Sequence, residues 1–274
     1  MPRSLQVTAR LLLALCLLAG PVYAGTMTLL GVGKPAVGGG ATCASVLPGL
    51  VLNLDASNSS SVIRTGSNVT AWNDLSGGGN NFTATNNPQY SATGFNGSLP
   101  GVTVTVAANN FLKNASFPFN SATMSIFIVY VATSSTAIDD GFASFQAAGA
   151  SDDFGTQKGF VISENHFGNI ATTSGSYFAQ NFSSVNSAPR AYGDVFDGAN
   201  GTEYFDFSAG TTAAHTINFG GASNGILAFG TRPWNGNTPD FDGTYGEIIM
   251  TSSALNGTQL SALHSCWSAK WGIP

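Results

Sequence analysis

The chain is predicted to be all-β: a two-sheet jelly-roll sandwich closed by one short C-terminal helix. Three observations carry that expectation. Charged residues make up only 8% of the 274 residues, so the Lys and Glu that favour exposed helices are scarce. The 34 glycines, together with abundant Ser, Thr and Asn, supply many tight turns. Apolar residues recur with period 2 or in short unbroken runs, which is strand patterning. A single sandwich commonly reaches roughly 200–250 residues, so the length requires only one domain.

Residues 1–24 have the three parts of a secretory signal. Arg3 and Arg10 form a basic start, residues 11–19 a short apolar core, and Val22-Tyr23-Ala24 a small-x-small cleavage site before Gly25. An uncleaved signal anchor is the rival reading. A start at Met27 would remove the segment altogether. Cys16 follows Leu15, which makes it a poor lipid-attachment site. Residues 25–47 read as a Gly-rich flexible leader, and residues 48–274 as the sandwich domain.

Within that domain, Leu50-Val51-Leu52-Asn53-Leu54-Asp55 reads as a first strand. Residues 102–106 (VTVTV) alternate, so one face is buried and the other wet. Residues 125–131 (SIFIVYV) are unbroken, as in a strand covered on both sides. Residues 204–207 (YFDF), 226–229 and 247–250 complete the strand set, separated by turn clusters such as FDGANG. One helix is expected, at the end. Asn256 is its N-cap with Gln259 as capping-box partner, and Leu260, Leu263, Trp267 and Trp271 form its apolar stripe.

The net charge of −5, or −7 once Arg3 and Arg10 are removed, leaves no basic cluster, so nucleic acid is not an expected partner. No run of about 18 apolar residues follows the N-terminus, so no membrane span is expected there.

Two stretches resemble a known family. Leu54-Asp55-Ala56-Ser57, Trp72-Asn73-Asp74-Leu75-Ser76-Gly77, Gly79-Asn80, Pro88, and Asn96-Gly97 before Pro100 and Val102 resemble the opening of bacterial and phage-type concanavalin A-like (laminin-G-like) domains. Gly246-Glu247-Ile248-Ile249 and the terminal Lys270-Trp271-Gly272-Ile273 resemble the family's closing strand and chain end. The resemblance spans residues 48–273 and implies the concanavalin A-like jelly roll. Asn53 departs from the pattern by replacing an apolar ring, and residues 135–200 carry no motif that aligns.

In such jelly rolls the two chain ends lie together, and an exported chain meets oxidising surroundings. A Cys43–Cys266 disulfide is therefore expected, two buried free thiols being the alternative. The resemblance implies little about activity, because one fold hosts many functions.

Glycoside hydrolysis needs two carboxylates facing one bond. The three Glu residues, Glu164, Glu203 and Glu247, form no alternating acidic run. Glu203 and Asp206, three apart in a strand, would face opposite sides, and Glu247 belongs to the strand motif. His166, His215 and His264 have neither a patterned nucleophile nor zinc-ligand spacing.

Calcium is the candidate ion, with Asp240 and Asp242 as first-choice ligands. Asp74 with Asn80, Asp152-Asp153, and Asp194 with Asp197 are further candidates. Turn formation by Asp and Asn is the commoner reading of all these residues.

A sugar site needs an aromatic platform beside amides and carboxylates. Trp234, with Arg232, Asn235 and Asp240, is the candidate, with Tyr192, Tyr177 and Phe178 behind it. Trp234 reads equally as a loop anchor. Asn-x-Ser/Thr sequons at Asn58, Asn68, Asn81, Asn96, Asn114, Asn181, Asn200 and Asn256 would take glycans in a eukaryotic secretory pathway.

The expected function is a secreted, extracellular or cell-surface, carbohydrate-binding or adhesive module whose partner is a glycan or polysaccharide. A self-associating subunit of an extracellular assembly or virion-like particle, and a polysaccharide hydrolase or lyase, are the alternatives.

Overall fold

The computed structural model describes residues 43–95, 97–134, 141–151, 159–162, 188–214, 217, 222–233, 238–239 and 241–274. A 3-10 turn, Cys43–Val46, precedes the strands. These are β1 (Leu50–Asp55), β2 (Val62–Thr65), β3 (Asn68–Trp72), β4 (Phe82–Thr85), β5 (Gln89–Phe95) and β6 (Leu99–Val104). Next come β7 (Phe111–Phe117), β8 (Met124–Ser134), β9 (Ala143–Ala147), β10 (Gly159–Ile162), β11 (Arg190–Phe196) and β12 (Asn200–Phe205). The last are β13 (Ser208–Ala214), β14 (Gly225–Phe229), β15 (Thr231–Arg232), β16 (Thr238–Pro239) and β17 (Asp242–Thr251), followed by helix α1 (Gly257–Trp271). The all-β class with a single terminal helix holds.

One layer runs β10-β9-β14-β7-β4-β3, with β2 beside β3. The other runs β5-β6-β17-β8-β11-β12-β13, and the second half of β17 pairs with β1. The layers share a seam where Asn68 of β3 meets Gln89 of β5. Trp72, Phe82, Phe145, Leu227 and Phe229 from the first layer pack against Ile126, Ile128, Tyr130, Tyr245 and Ile248 from the second. The outer face of the second layer is covered in turn. Phe127, Val129 and Ile249 lie under Leu260, Leu263, Trp267 and Trp271 of α1. Strand β8 is thus apolar on both faces because it is buried on both, which accounts for its unbroken SIFIVYV run.

Helix α1 begins as expected. The Asn256 carboxamide accepts from Gln259 N–H, and the Gln259 side chain accepts from Asn256 N–H. Its four stripe residues are all buried. At the other end Gly272 takes the left-handed C-cap conformation, φ 73°. Two further glycines make room for aromatic rings. A Cβ on Gly193 would overlap the ring of Phe127 opposite it in β8, and one on Gly246 would press to 3.0 Å from the Trp271 ring.

Two strand expectations are corrected. Strand β6 stops at Val104, and Val106 is exposed beyond it. The YFDF segment is not all strand: β12 ends at Phe205, and Asp206 and Phe207 form the two-residue turn to β13 with φ of 46° and 63°. That conformation ordinarily calls for Asn or Gly. Here aromatic packing offsets the strain. Phe207 stacks on Phe127 at 5.2 Å and on His264 at 4.9 Å, and meets Trp267 edge-on. Asp206 accepts from Ala191 N–H and pairs with Arg190, whose guanidinium lies over the Phe205 ring.

The Cys43–Cys266 disulfide is present, with Cα atoms 5.6 Å apart. It ties the 3-10 turn to α1 across a sequence separation of 223. Chain-entropy arguments put the stabilisation from so long a loop at up to about 5 kcal/mol. The Cys43→Ser, Cys266→Ser double variant should keep the far-UV spectrum of the sandwich and lose up to that amount in denaturant titration. An unchanged midpoint would show that the bridge adds no constraint on the unfolded chain beyond those it already carries.

Candidate functional site

The motif residues converge on one place, and their role there is architectural. Asp55 of β1 and Glu247 of β17 are direct cross-strand partners, and both point toward α1. Lys270 Nζ lies 2.5 Å from Asp55 Oδ2 and 2.8 Å from Glu247 Oε2. Trp271 Nε1 donates to the same Glu247 oxygen at 2.8 Å. Ser57 donates to Asp55 Oδ1 through both its N–H and its hydroxyl. Glu247 is fully buried. Burial and the Asp55 charge push its carboxyl up, against the pull of Lys270.

The second motif is a clamp. Asp74 accepts from the N–H groups of Asn53, Ser76 and Asn80 and from the Ser76 hydroxyl. Asn80 Nδ2 donates to Val51 O. The Asp74–Asn80 loop is thereby pinned to β1, and its carboxylate is occupied by donors rather than turned toward an ion.

Of the sugar-site residues, Trp234, Asn235 and Asp240 lie outside the described residues, as do Tyr177, Phe178, Asp152, Asp153, Glu164, His166 and His215. Arg232, in β15, is 4% exposed. Tyr192 is corrected. It is 1% exposed, packed edge-on to Phe142 in the inter-sheet core, and offers no face to solvent. Of the expected calcium ligands, Asp242 Oδ1 accepts from Val106 N–H at 2.6 Å. Asp197 caps the β11–β12 turn, and the N–H groups of Asn200 and Ala199 hold its carboxyl below the usual range. Among the described residues, no group of three or more His, Cys, Asp and Glu is placed to hold a metal ion. A groove of about 270 Å³ between Gln146, Ala148, Asn224 and Ile226 carries no aromatic ring.

The sequence patterns missed an acid pair. Asp194 of β11 and Glu203 of β12 are cross-strand partners, 0% and 1% exposed. Tyr192 donates its hydroxyl to Asp194 Oδ1 at 3.1 Å. Two like charges so close in the interior cannot both ionise cheaply. Desolvation first, and the Asp194 charge second, push Glu203 up to about 8, while burial raises Tyr192 well above the usual phenol range. Near neutral pH Glu203 therefore keeps its proton. Both side chains are buried, so the proton on Glu203 is held away from solvent.

No family model and no curated protein sequence matches the chain. Solved structures do. Domain 4 of AbnA, a GH43 extracellular arabinanase from Geobacillus stearothermophilus, in complex with arabinotriose, is similar over 78% of this chain and 98% of that domain, with TM-score 0.56 and 16% identity. Trypanosoma rangeli sialidase in complex with sialic acid is similar over 80% of this chain, with TM-score 0.54 and 12% identity, and the chain spans 33% of that enzyme. A GH54 α-L-arabinofuranosidase is similar over 76% of this chain and 52% of its own length, with TM-score 0.50 and 15% identity. At such identities the likeness is one of fold. The chain has a β-sandwich found in carbohydrate-active proteins, and the comparisons do not single out the concanavalin A-like group within it.

The acid pair predicts a pH dependence. Glu203 is protonated in the folded state up to about pH 8 and ionised in the unfolded chain above roughly pH 4.5. The folded state therefore binds the extra proton, and stability falls as pH rises through that window. The slope approaches about 1.4 kcal/mol per pH unit. Melting temperatures should drop from pH 5 to pH 8, and Glu203→Gln should flatten the curve. Equal slopes in both proteins would remove Glu203 as the source.

Proposed function

We propose that this chain is an exported glycan-binding β-sandwich module. One observation carries the proposal: the likeness takes in 98% of a discrete arabinanase domain whose structure holds arabinotriose, so the unit matched is a whole domain with a bound oligosaccharide. The jelly roll and the N-terminal export signal expected from the sequence, together with the Cys43–Cys266 bridge, fit a protein working outside the cell. No helix among the described residues is long and apolar enough to cross a membrane.

The segment after β15 carries Trp234, Asn235 and Asp240. That is a ring to stack on a sugar C–H face with an amide and a carboxylate to read hydroxyls. Arg232, buried at the end of β15, would root this segment in the sandwich. Tyr192 takes no part.

Binding of the purified protein to arabino-oligosaccharides and a broad glycan array, with calcium and with chelator, tests the proposal. Trp234→Ala should weaken binding about tenfold or more while leaving the melting temperature unchanged, since one stacked ring contributes on the order of 1 kcal/mol beyond its buried area. Failure to bind any glycan in either condition would overturn the reading. Loss of binding in chelator alone would assign calcium a role beside Asp240 and Asp242.

A further inference from the structure

Asp55, Glu247 and Lys270 carry an arrangement that an ordinary ion pair does not need. The Lys270 amine reaches Asp55 Oδ2 at 2.5 Å in a site walled by β1, β17 and Trp271, over whose ring the amine also lies, 4.9 Å from the centroid. The other Asp55 oxygen, Oδ1, is held by two donors, Ser57 N–H at 2.9 Å and the Ser57 hydroxyl at 2.6 Å. Donors so placed stabilise charge that develops on a carboxyl oxygen when its carbon is attacked. Glu247 touches the amine with Oε2, while its Oε1 is buried without a hydrogen-bond partner. It is therefore a proton carrier within reach of the nucleophile, and burial favours its protonated form. Nucleophile, carbonyl carbon, oxyanion donors and proton shuttle are all held in register by secondary structure, the pre-organisation that makes a slow condensation effectively unimolecular.

We propose that Lys270 and Asp55 condense into an intramolecular amide cross-link, with Glu247 carrying the protons. Lys270 Nζ gives one proton directly to Asp55 Oδ2, which it touches, and attacks Asp55 Cγ, forming the C–N bond. Negative charge gathers on Oδ1 under the Ser57 donors. Glu247 donates its proton to Oδ2, the C–Oδ2 bond breaks, Oδ2 leaves as water, and Glu247 takes back the second proton from the new amide nitrogen. An ammonium and a carboxylate become one amide and one water, with no oxidant, metal or cofactor. The bond would join the end of the first strand to the last turn of α1. It would lie alongside the disulfide from residue 43 to 266, and would persist where that disulfide is reduced. The inference is independent of glycan binding.

Intact-mass measurement of the purified full chain under reducing conditions reads the reaction directly. The wild-type protein should be lighter by one water than its sequence requires. Digestion should yield a branched peptide joining the Asp55 and Lys270 segments. Glu247→Gln should return to the full sequence mass. Asp55→Asn should give the wild-type linkage and mass by losing ammonia instead of water. Wild-type protein at full sequence mass, or lighter by one water without the branched peptide, overturns the proposal whether or not the variants fold.

Discussion

The constraint on which the rest of this structure depends is the pairing of two buried carboxylates. Asp55 and Glu247 face each other across β1 and β17 at the centre of the second layer, and a buried charge without a partner is among the costliest features a fold can carry. Lys270 supplies the counter-charge from the last turn of α1. Trp271 then falls over Gly246, where there is no side chain to obstruct it, and its indole N–H completes the Glu247 shell. The apolar stripe of α1 gives the helix its affinity for the sheet, while the ionic node gives it a unique position. The disulfide at Cys266 fixes the same helix from its other flank.

That node also explains why the motifs in this chain say more about fold than about activity. The Asp-Ala-Ser, Gly-Glu-Ile-Ile and Lys-Trp-Gly-Ile segments meet at one helix–sheet junction, and the Trp-x-Asp segment pins its own loop to β1. None of these groups is turned toward a ligand. The second layer is buried on both faces along β8 and β17.

Much of the fold was legible in the sequence because its signals are local. The first strand, the unbroken β8 run and the capped terminal helix each announce themselves within a dozen residues. The disulfide followed from compartment and chain-end topology. Strands such as β13, with the sequence SAGTTAA and nearly every side chain exposed, have no apolar alternation to detect. The acid pair escaped for a different reason. Asp194 and Glu203 are nine residues apart, and only register brings them together. Counting outward from the Asp197–Asn200 turn, whose side-chain and backbone bonds fix the hairpin, pairs them directly. Comparing Glu203 with Asp206 along one strand could not have found it. Tyr192 misled because an aromatic residue in a polar-looking stretch reads as surface, whereas its hydroxyl is satisfied inside the core by Asp194.

The central claim, that the Asp55–Glu247–Lys270 node, as ion pair or as amide, makes α1 part of the same cooperative unit as the two sheets, is tested most directly by native-state hydrogen exchange with residue resolution. In the wild-type protein the α1 amides around Leu263 and Trp267 should exchange with the same free energy as those of β8 and β17. In Lys270→Gln they should exchange through a separate, lower-energy opening while the sheet amides keep their protection. Helix amides that exchange well ahead of the sheets in the wild-type protein, and are indifferent to Lys270→Gln, would contradict the account.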